Sequence, residues 1–323
     1  MAEGSTEASP PLSSPCGVEF LNVQLPAGGS LRVARYRGLC EGGQDHAWPP
    51  VLMLHGSIES GRIFWSRSGK GLAPWLASRG FDVFVPDLRG HGESPPRIVR
   101  GALWGQSESI SEELPALVDA ITEHSGGQSQ HWIAHSWGGV LMSSFLARYP
   151  ERQARVASLC YFGSKRRVRA WTVERLLKVD LVWGLLCPIL IGLFGYLPAR
   201  RIGIGSSDET AKSFSQCLEW VRNDAWIDSD DGFDYAAGLA AKGLPPAWYI
   251  AGRKDRALGH PDDVRRLMES SGPGQARYTV LSRKAGNLHD YDHIDMLTNP
   301  DAVGDHFPQV EEWLRLHGAN NAN

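Results

Sequence analysis

Short apolar runs and longer amphipathic segments alternate along most of this chain. Residues 51–54 and 247–252 are continuously apolar, and residues 81–86 are apolar except for Asp82, which predicts strands that are buried on both faces. Residues 110–124 repeat apolar side chains at helical spacing, which predicts a helix with one buried face. Strands that alternate with helices favour an α/β fold, a mostly parallel doubly wound sheet with right-handed crossovers.

The same patterns predict the remaining elements of this sheet. Residues 18–25 and 31–36 alternate apolar and polar positions around a Pro-Ala-Gly-Gly turn, which predicts an antiparallel hairpin at a sheet edge. The other predicted elements are strands at 131–134, 155–161 and 278–282, and helices at 64–79, 138–149, 261–270 and 307–317.

The alternation stops between residues 164 and 244, where helical pieces occur without a convincing strand. We interpret 164–244 as a helical cap inserted into an α/β core formed by 17–163 and 245–318. The basic run at 165–169 is most simply a solvated face of this cap. Residues 181–197 are uncharged but interrupted by Gly and Pro, so we expect a buried or surface-docked helical segment and no membrane span.

Composition and charge narrow the function classes. The chain has 323 residues, of which 42% are apolar and 21% charged, as in a soluble globular protein with an ample core. A net charge of −3 gives no reason to expect nucleic acid or an anionic membrane as a partner. Five scattered cysteines without a C-x-x-C pair are typical of a reducing compartment, so we expect a cytoplasmic location. Residues 1–16 lack the regions of a signal peptide and are expected to be a disordered tail. The oligomeric state cannot be predicted from the sequence.

The segment from His131 to Val140 carries the first chemical signal. A short apolar strand leads into Ala134-His135-Ser136-Trp137-Gly138, which fits the nucleophile elbow G-x-S-x-G with Ala in the first position. Such a turn forces an unfavourable backbone angle on the serine and exposes its hydroxyl at a helix N-terminus. We therefore predict that Ser136 is a nucleophile.

A serine nucleophile needs a base to accept its proton and an acid to orient that base. Asp255 follows the predicted strand 247–252 by three residues, where the acid of a Ser-Asp-His order is expected. The loop after the next strand offers His289 and His293. We favour His293 because the apolar residues after it would hold it rigidly.

An oxyanion hole and a pocket complete the predicted site. The backbone N–H of Trp137 follows the nucleophile, and Gly56 lets the loop after residues 51–54 present the N–H of Ser57. Twelve tryptophans suit an apolar pocket, and the residues expected to line it are His55, Ile58, Trp183 and Trp226. The acidic residues between 228 and 234 lack EF-hand spacing, and neither a metal nor an organic cofactor is expected.

These residues together carry a family resemblance. The His-Gly pair at 55–56, the segment DLRGHGES at 87–94, the elbow, and His-Ile-Asp at 293–295 resemble the α/β-hydrolase superfamily from about residue 18 to 317. The ending looks like its lipase and esterase branch, related to the acid lipases. The resemblance implies Ser136, Asp255 and His293 as the catalytic triad and Ser57 and Trp137 as oxyanion donors. The chain departs from the usual pattern at Ala134, where Gly is common.

The sequence therefore predicts a serine hydrolase that cleaves a carboxylic ester of a lipophilic small molecule through an acyl-enzyme. Haloalkane dehalogenases and epoxide hydrolases of this fold use a carboxylate where Ser136 stands. Three alternatives stay open: an acyltransferase or thioesterase with the same triad, a C–C hydrolase with the same triad, and a non-catalytic ligand-binding member of the fold.

Overall fold

A computed structural model describes residues 17–38 and 48–318 of the chain. The predicted tail at 1–16 lies outside the described residues. The strands within the described part are β1 (Val18–Gln24), β2 (Ser30–Tyr36), β3 (Val51–Leu54), β4 (Val83–Pro86), β5 (Gln130–His135), β6 (Val156–Phe162), β7 (Tyr196–Leu197), β8 (Glu209–Thr210), β9 (Ala247–Gly252) and β10 (Ala276–Leu281).

Eight of these strands form one sheet in the order β1-β2-β4-β3-β5-β6-β9-β10. The pairs β1-β2 and β2-β4 are antiparallel, and every pair from β4 to β10 in that order is parallel. The carboxyl ends of β3, β5, β6, β9 and β10 therefore meet at one edge of the sheet. Loops that follow these ends are where an open α/β sheet binds its ligands.

Helices cover both faces of the sheet. The helices are α1 (Leu72–Ser78), α2 (Leu114–His124), α3 (Trp137–Arg148), α4 (Val173–Phe194), α5 (Ala211–Arg222), α6 (Tyr235–Lys242), α7 (Pro261–Ser270), α8 (Asp295–Thr298) and α9 (Phe307–Gly318). Helices α2 and α3 pack in the core on one face, and α1 and α9 pack on the other. This arrangement confirms the predicted doubly wound α/β-hydrolase fold.

The predicted helix at 64–79 is wrong over its first half. A 3-10 turn occupies Gly61–Ile63, and the α-helix begins at Leu72. Gly69 and Gly71 both have positive φ, and a side chain at Gly71 would collide with the carbonyl oxygen of Phe64. The chain therefore turns back on itself before the helix can start.

The segment between β6 and β9 is mainly helical, with α4, α5 and α6. It also contains the short antiparallel pair β7-β8, which the sequence pattern did not predict. The pair lies close to the sheet's functional edge, because Glu209 in β8 accepts a hydrogen bond from Ser57 Oγ at 2.9 Å. The limits 164–244 for a separate cap stay a prediction.

Helix α4 is not buried but docks on the surface, with Trp183 stacked on Phe214 of α5, which fits the second of the two expected placements. Its length and apolar composition would allow it to cross a membrane. Only 6% of its most apolar 18-residue stretch is buried inside the protein. Leu181, Leu185 and Ile189 are each about half exposed. One such helix is weak evidence for a membrane span, but its outer face is plainly not part of the core.

Candidate active site

Ser136 lies in the sharp turn between β5 and α3. Its backbone has φ 51° and ψ −120°, in a region that costs a residue other than glycine about 1–3 kcal/mol. Helix and strand backbones are close here, because a side chain at Gly138 would come within 2.5 Å of the Leu54 carbonyl oxygen. The turn therefore has the geometry of a nucleophile elbow.

Asp255 and His293 meet at the carboxyl edge of the sheet although 38 residues separate them. Asp255 follows β9 and His293 follows β10, and the distance from His293 Nδ1 to Asp255 Oδ2 is 2.5 Å. Asp255 Oδ1 also accepts a hydrogen bond from the Leu258 N–H at 2.9 Å. These contacts hold the His293 ring in one orientation, with Nε2 left for another partner.

Charge and burial favour a neutral base beside an ionised acid. Burial lowers the pKa of His293, and the Asp255 carboxylate only partly opposes this effect. Burial on its own would raise the pKa of Asp255, but the adjacent His293 brings it well below its ordinary value. His293 can therefore accept a proton near neutral pH, and Asp255 can stabilise the imidazolium that results.

Ser136 and His293 both line one cavity of about 360 Å³. Among the described residues the structure records no hydrogen bond from Ser136 Oγ. Such bonds are often long before substrate binds and tighten in the reacting complex. The structure thus brings the three predicted triad residues to one edge, with the Asp-His contact already formed.

The two predicted oxyanion donors flank Ser136. Trp137 is the first residue of α3, so its N–H has no carbonyl acceptor in a preceding helical turn. Gly56 lies against the nucleophile, since a side chain there would come within 2.9 Å of the Ser136 Cβ. The Ser57 N–H has no recorded acceptor within the described ranges, and the Ser57 hydroxyl donates to Glu209. The roles of both amides stay predictions.

The cavity is mainly apolar, and only part of its lining was predicted. Ile58 and Trp183 lie on its wall, together with Val168, Val179, Val182, Ile204, Leu218, Val221 and Leu258. The prediction that His55 and Trp226 line it is wrong. His55 is fully buried and accepts the Leu88 N–H at Nε2, 3.1 Å away. Trp226 packs in the core against Trp220.

A second histidine lies directly behind the base. His135 Nδ1 is 2.7 Å from Glu59 Oε2, and His135 Nε2 is 2.8 Å from the carbonyl oxygen of His293. Both partners can only accept, so both ring nitrogens of His135 must donate and the ring is an imidazolium. Consistently, although burial lowers the pKa of His135, Glu59 raises it above the ordinary value. Burial would raise the pKa of Glu59, but His135 lowers it to about 2.

Within the described part of the chain, one group of side chains has the composition of a metal site. It consists of Glu59, His135 and His293, whose possible ligand atoms lie within 4.8 Å of one another. Glu59 and His135 are hydrogen-bonded to each other, and His293 is bonded to Asp255. The mutual contacts of these side chains account for the cluster.

Lys165 was missed by sequence reasoning. The basic run at 165–169 is not solvated throughout, because Lys165 is 8% exposed and lines the cavity. Its Nζ lies 6.0 Å from the centre of the Trp137 ring. The available signal was its position two residues after Gly163, which follows β6 at the functional edge of the sheet.

Comparison with known proteins agrees with this architecture. Residues 49–180 match the model of the family described as alpha/beta hydrolase fold. The curated bifunctional epoxide hydrolase 2 of Sus scrofa is 37% identical over 114 residues, which cover 34% of this chain and 18% of that protein. Lipase lipl-3 of Caenorhabditis elegans is 25% identical over 134 residues, which cover 38% of this chain and 33% of the lipase.

Among solved structures, a thermophilic esterase from Thermogutta terrifontis aligns with a TM-score of 0.55 at 17% identity, covering 93% of this chain and 99% of the esterase. The chain therefore has the α/β-hydrolase fold, and 132 of its 323 residues match the model of that family. The two curated matches span a third or less of the relatives' own length.

Proposed function

We propose that this protein is a serine hydrolase that cleaves the carboxylic ester of a lipophilic molecule. The observation that carries the proposal is the contact between His293 and Asp255 beside an elbow serine in one apolar cavity. The catalytic residues are then Ser136, His293 and Asp255, with the Ser57 and Trp137 amides as oxyanion donors.

The reaction has two halves. His293 Nε2 takes the proton of Ser136 Oγ as the oxygen bonds to the ester carbon, and the two amides hold the oxyanion. His293 then protonates the leaving alcohol as the C–O bond breaks, which leaves an acyl-serine. In the second half His293 takes a proton from water, the water oxygen bonds to the acyl carbon, and Ser136 leaves with the proton as the acid is released.

Epoxide hydrolysis is disfavoured by the nucleophile, although the Sus scrofa relative is an epoxide hydrolase. A carboxylate that opens an epoxide gives an ester, which water can cleave. A serine that opens an epoxide would give an ether, which has no carbonyl carbon for water to attack. Ser136 at the elbow therefore fits acyl chemistry.

The experiment combines active-site labelling with turnover. A fluorophosphonate should label the wild type and not Ser136→Ala. The wild type should hydrolyse p-nitrophenyl esters of increasing acyl length, and Ser136→Ala should not. Ser144→Ala is the matched control, because this buried serine lies in α3 but does not line the cavity. Labelling that persists in Ser136→Ala would refute the mechanism. Products formed with a competing alcohol separate hydrolysis from acyl transfer.

A further inference from the structure

Lys165 is a buried lysine that faces the cavity and has no direct partner among the described residues. It is 8% exposed, and among the described residues it forms no hydrogen bond or ion pair with a carboxylate. Burying an ammonium without a partner is costly, and burial lowers the pKa of Lys165. The Lys165 side chain in this apolar cavity therefore lacks a hydrogen-bond acceptor, which a ligand can supply.

The carboxylates near Lys165 are already occupied. Asp255 accepts from His293, Glu59 is paired with His135, and Asp263 accepts from Arg266. Their negative charges favour the protonated form of Lys165 and so raise its pKa, against the effect of burial. They also disfavour a doubly charged anion in the same cavity, so a single negative charge suits the site better than a phosphate dianion.

From these observations we propose that Lys165 binds a carboxylate of the substrate, so that the preferred ester carries an apolar segment and a free carboxyl group. The Trp137 ring, 6.0 Å from Lys165 Nζ, belongs to the residue after the nucleophile. The carboxylate therefore lies a short chain length from the bond that reacts. That the reacting bond is an ester rests on the proposed function. The binding of a carboxylate by Lys165 does not depend on it.

The turnover test uses two matched substrates, mono-p-nitrophenyl adipate and its neutral methyl ester. The wild type should favour the acid by tenfold or more in kcat/KM. Lys165→Met, which keeps the stem and removes the charge, should abolish that preference, measured as the ratio of the two kcat/KM values, and Lys165→Arg should keep part of it. Equal loss on both substrates, or a wild type without preference, would overturn the proposal.

Binding separates this proposal from the hydrolase proposal. Monomethyl adipate is titrated calorimetrically into Ser136→Ala and into Ser136→Ala/Lys165→Met, with dimethyl adipate as the neutral control. Loss of monomethyl adipate affinity by tenfold or more in the double variant supports the role of Lys165 even if the wild type hydrolyses no ester. Unchanged affinity in a folded double variant would refute it even if ester hydrolysis is found.

A separate observation concerns the outer face of α4. Leu181, Leu185, Ile189 and Leu193 are each at least half exposed, and Trp171 just before the helix is 83% exposed. A continuous apolar face of this size is rare on a soluble monomer and marks an interaction surface. The inner face of the same helix lines the cavity through Val179, Val182 and Trp183.

The charges around α4 identify the kind of partner. Three arginines, Arg100, Arg201 and Arg222, have no recorded carboxylate partner within the described residues, although the whole chain has a net charge of −3. Arg100 donates to the Leu193 carbonyl, and the Arg201 guanidinium lies 5.6 Å from the Phe194 ring centre. Basic residues beside apolar side chains and an exposed tryptophan are typical of a helix that lies in a lipid interface.

Both ends of α4 are tied to the same folded body. Thr172 Oγ1, at its N-terminus, donates to the Arg256 carbonyl at 2.6 Å, and Arg100 contacts its C-terminus. A helix held in this way cannot place its two ends on opposite sides of a bilayer. The geometry points to α4 as a docking face that lies on an anionic membrane surface, with the cavity directly beneath it.

Vesicle co-sedimentation with the Ser136→Ala protein tests this without relying on catalysis. Binding should be stronger to phosphatidylcholine vesicles with added phosphatidylglycerol than to phosphatidylcholine alone, and should fall at high salt. Leu185→Glu/Ile189→Glu should reduce it at least tenfold, whereas the control Leu316→Glu, an exposed leucine of α9, should not.

Three results would overturn the docking face. One is absence of vesicle binding. Another is resistance to carbonate extraction, which would indicate a spanning helix. The third is a dimer in sedimentation velocity that Leu185→Glu/Ile189→Glu dissociates without any effect on vesicles, which would assign the face to a second copy of the chain.

Discussion

The imidazolium of His135 should keep the catalytic base neutral, and neutralising it should shift the acid limb of the pH profile. The ring centres of His135 and His293 are 4.6 Å apart. Two unit positive charges at that distance repel by about 3.6 kcal/mol at an effective dielectric constant of about 20. This energy is an upper bound on the free energy by which the His135 cation disfavours the protonated form of His293.

The neighbouring charges set the direction of the shift. His135 and Lys165 lower the pKa of His293, after burial, and Asp255 raises it. When His135 becomes neutral, His293 loses a repelling cation while its contact with Asp255 is kept. The pKa of His293 should therefore rise, and activity, which needs the neutral imidazole, should be lost at a higher pH as the solution is acidified.

Two neutral substitutions separate charge from positioning. The amide of His135→Gln can still donate towards the His293 carbonyl, and that of His135→Asn can still donate towards Glu59. Both should raise the apparent pKa of the acid limb of kcat/KM, measured with a neutral p-nitrophenyl ester. Only His135→Asn should also lower the plateau value, because it loses the contact with His293.

The double variant His135→Gln/Glu59→Gln is the control for the ion pair. It removes both charges, so its acid limb should lie closer to that of the wild type than the limb of His135→Gln does. Thermal unfolding of each variant shows whether the fold is retained. Folded variants with the acid limb of the wild type would refute the assignment of His135 as a charge that tunes the base.

Substitutions at three further positions, 57, 255 and 163, test the rest of the site. Ser57→Ala should leave kcat within a few-fold of wild type. Ser57→Pro, which deletes the N–H, should weaken transition-state binding by about 2.7–4 kcal/mol, measured as kcat/KM on one ester. Equal effects of the two substitutions would show that this amide is not part of the oxyanion hole. Asp255→Asn should lower kcat about 10³- to 10⁴-fold in rapid kinetics while circular dichroism stays unchanged, and a small effect would point to a different acid. Gly163→Ala adds a Cβ about 2.9 Å from His293 Nδ1 at a φ of +61°, so kcat should fall more than KM changes; unaltered kcat would mean that the His293 ring is free to move.

The elements that position the triad could be predicted because each depends on a local pattern. β9 is a continuous apolar run, and Asp255 follows it within one turn. The elbow combines a buried strand, a serine and small residues, all visible within ten positions of Ser136. Parallel strands then bring these loops to one edge, so chain order alone brings Asp255 and His293 together.

Burial by distant segments could not be predicted in the same way. The run at 165–169 has the composition of a solvated face, yet Lys165 is buried and its Nζ lies 6.0 Å from the Trp137 ring centre. Trp226 is a large aromatic residue of the kind that lines apolar pockets, yet it packs with Trp220 in the core. Hydrophobic pattern gives the face that a residue occupies within its own element, but not which element lies over it.

His135 shows how such a tertiary contact changes the chemistry. Beside the elbow serine its side chain suggests a packed, neutral histidine, and only the approach of Glu59 and of the His293 carbonyl makes both nitrogens donors. The site then holds the cations of His135 and Lys165 against the carboxylates of Glu59 and Asp255, with neutral His293 among them. A proton that arrives on His293 during the reaction is repelled by both cations and attracted by Asp255, so it is held by one contact and readily passed on to the leaving group. The same balance would make a substrate carboxylate, bound at Lys165 as proposed above, a regulator of the base, because pairing the lysine would raise the pKa of His293.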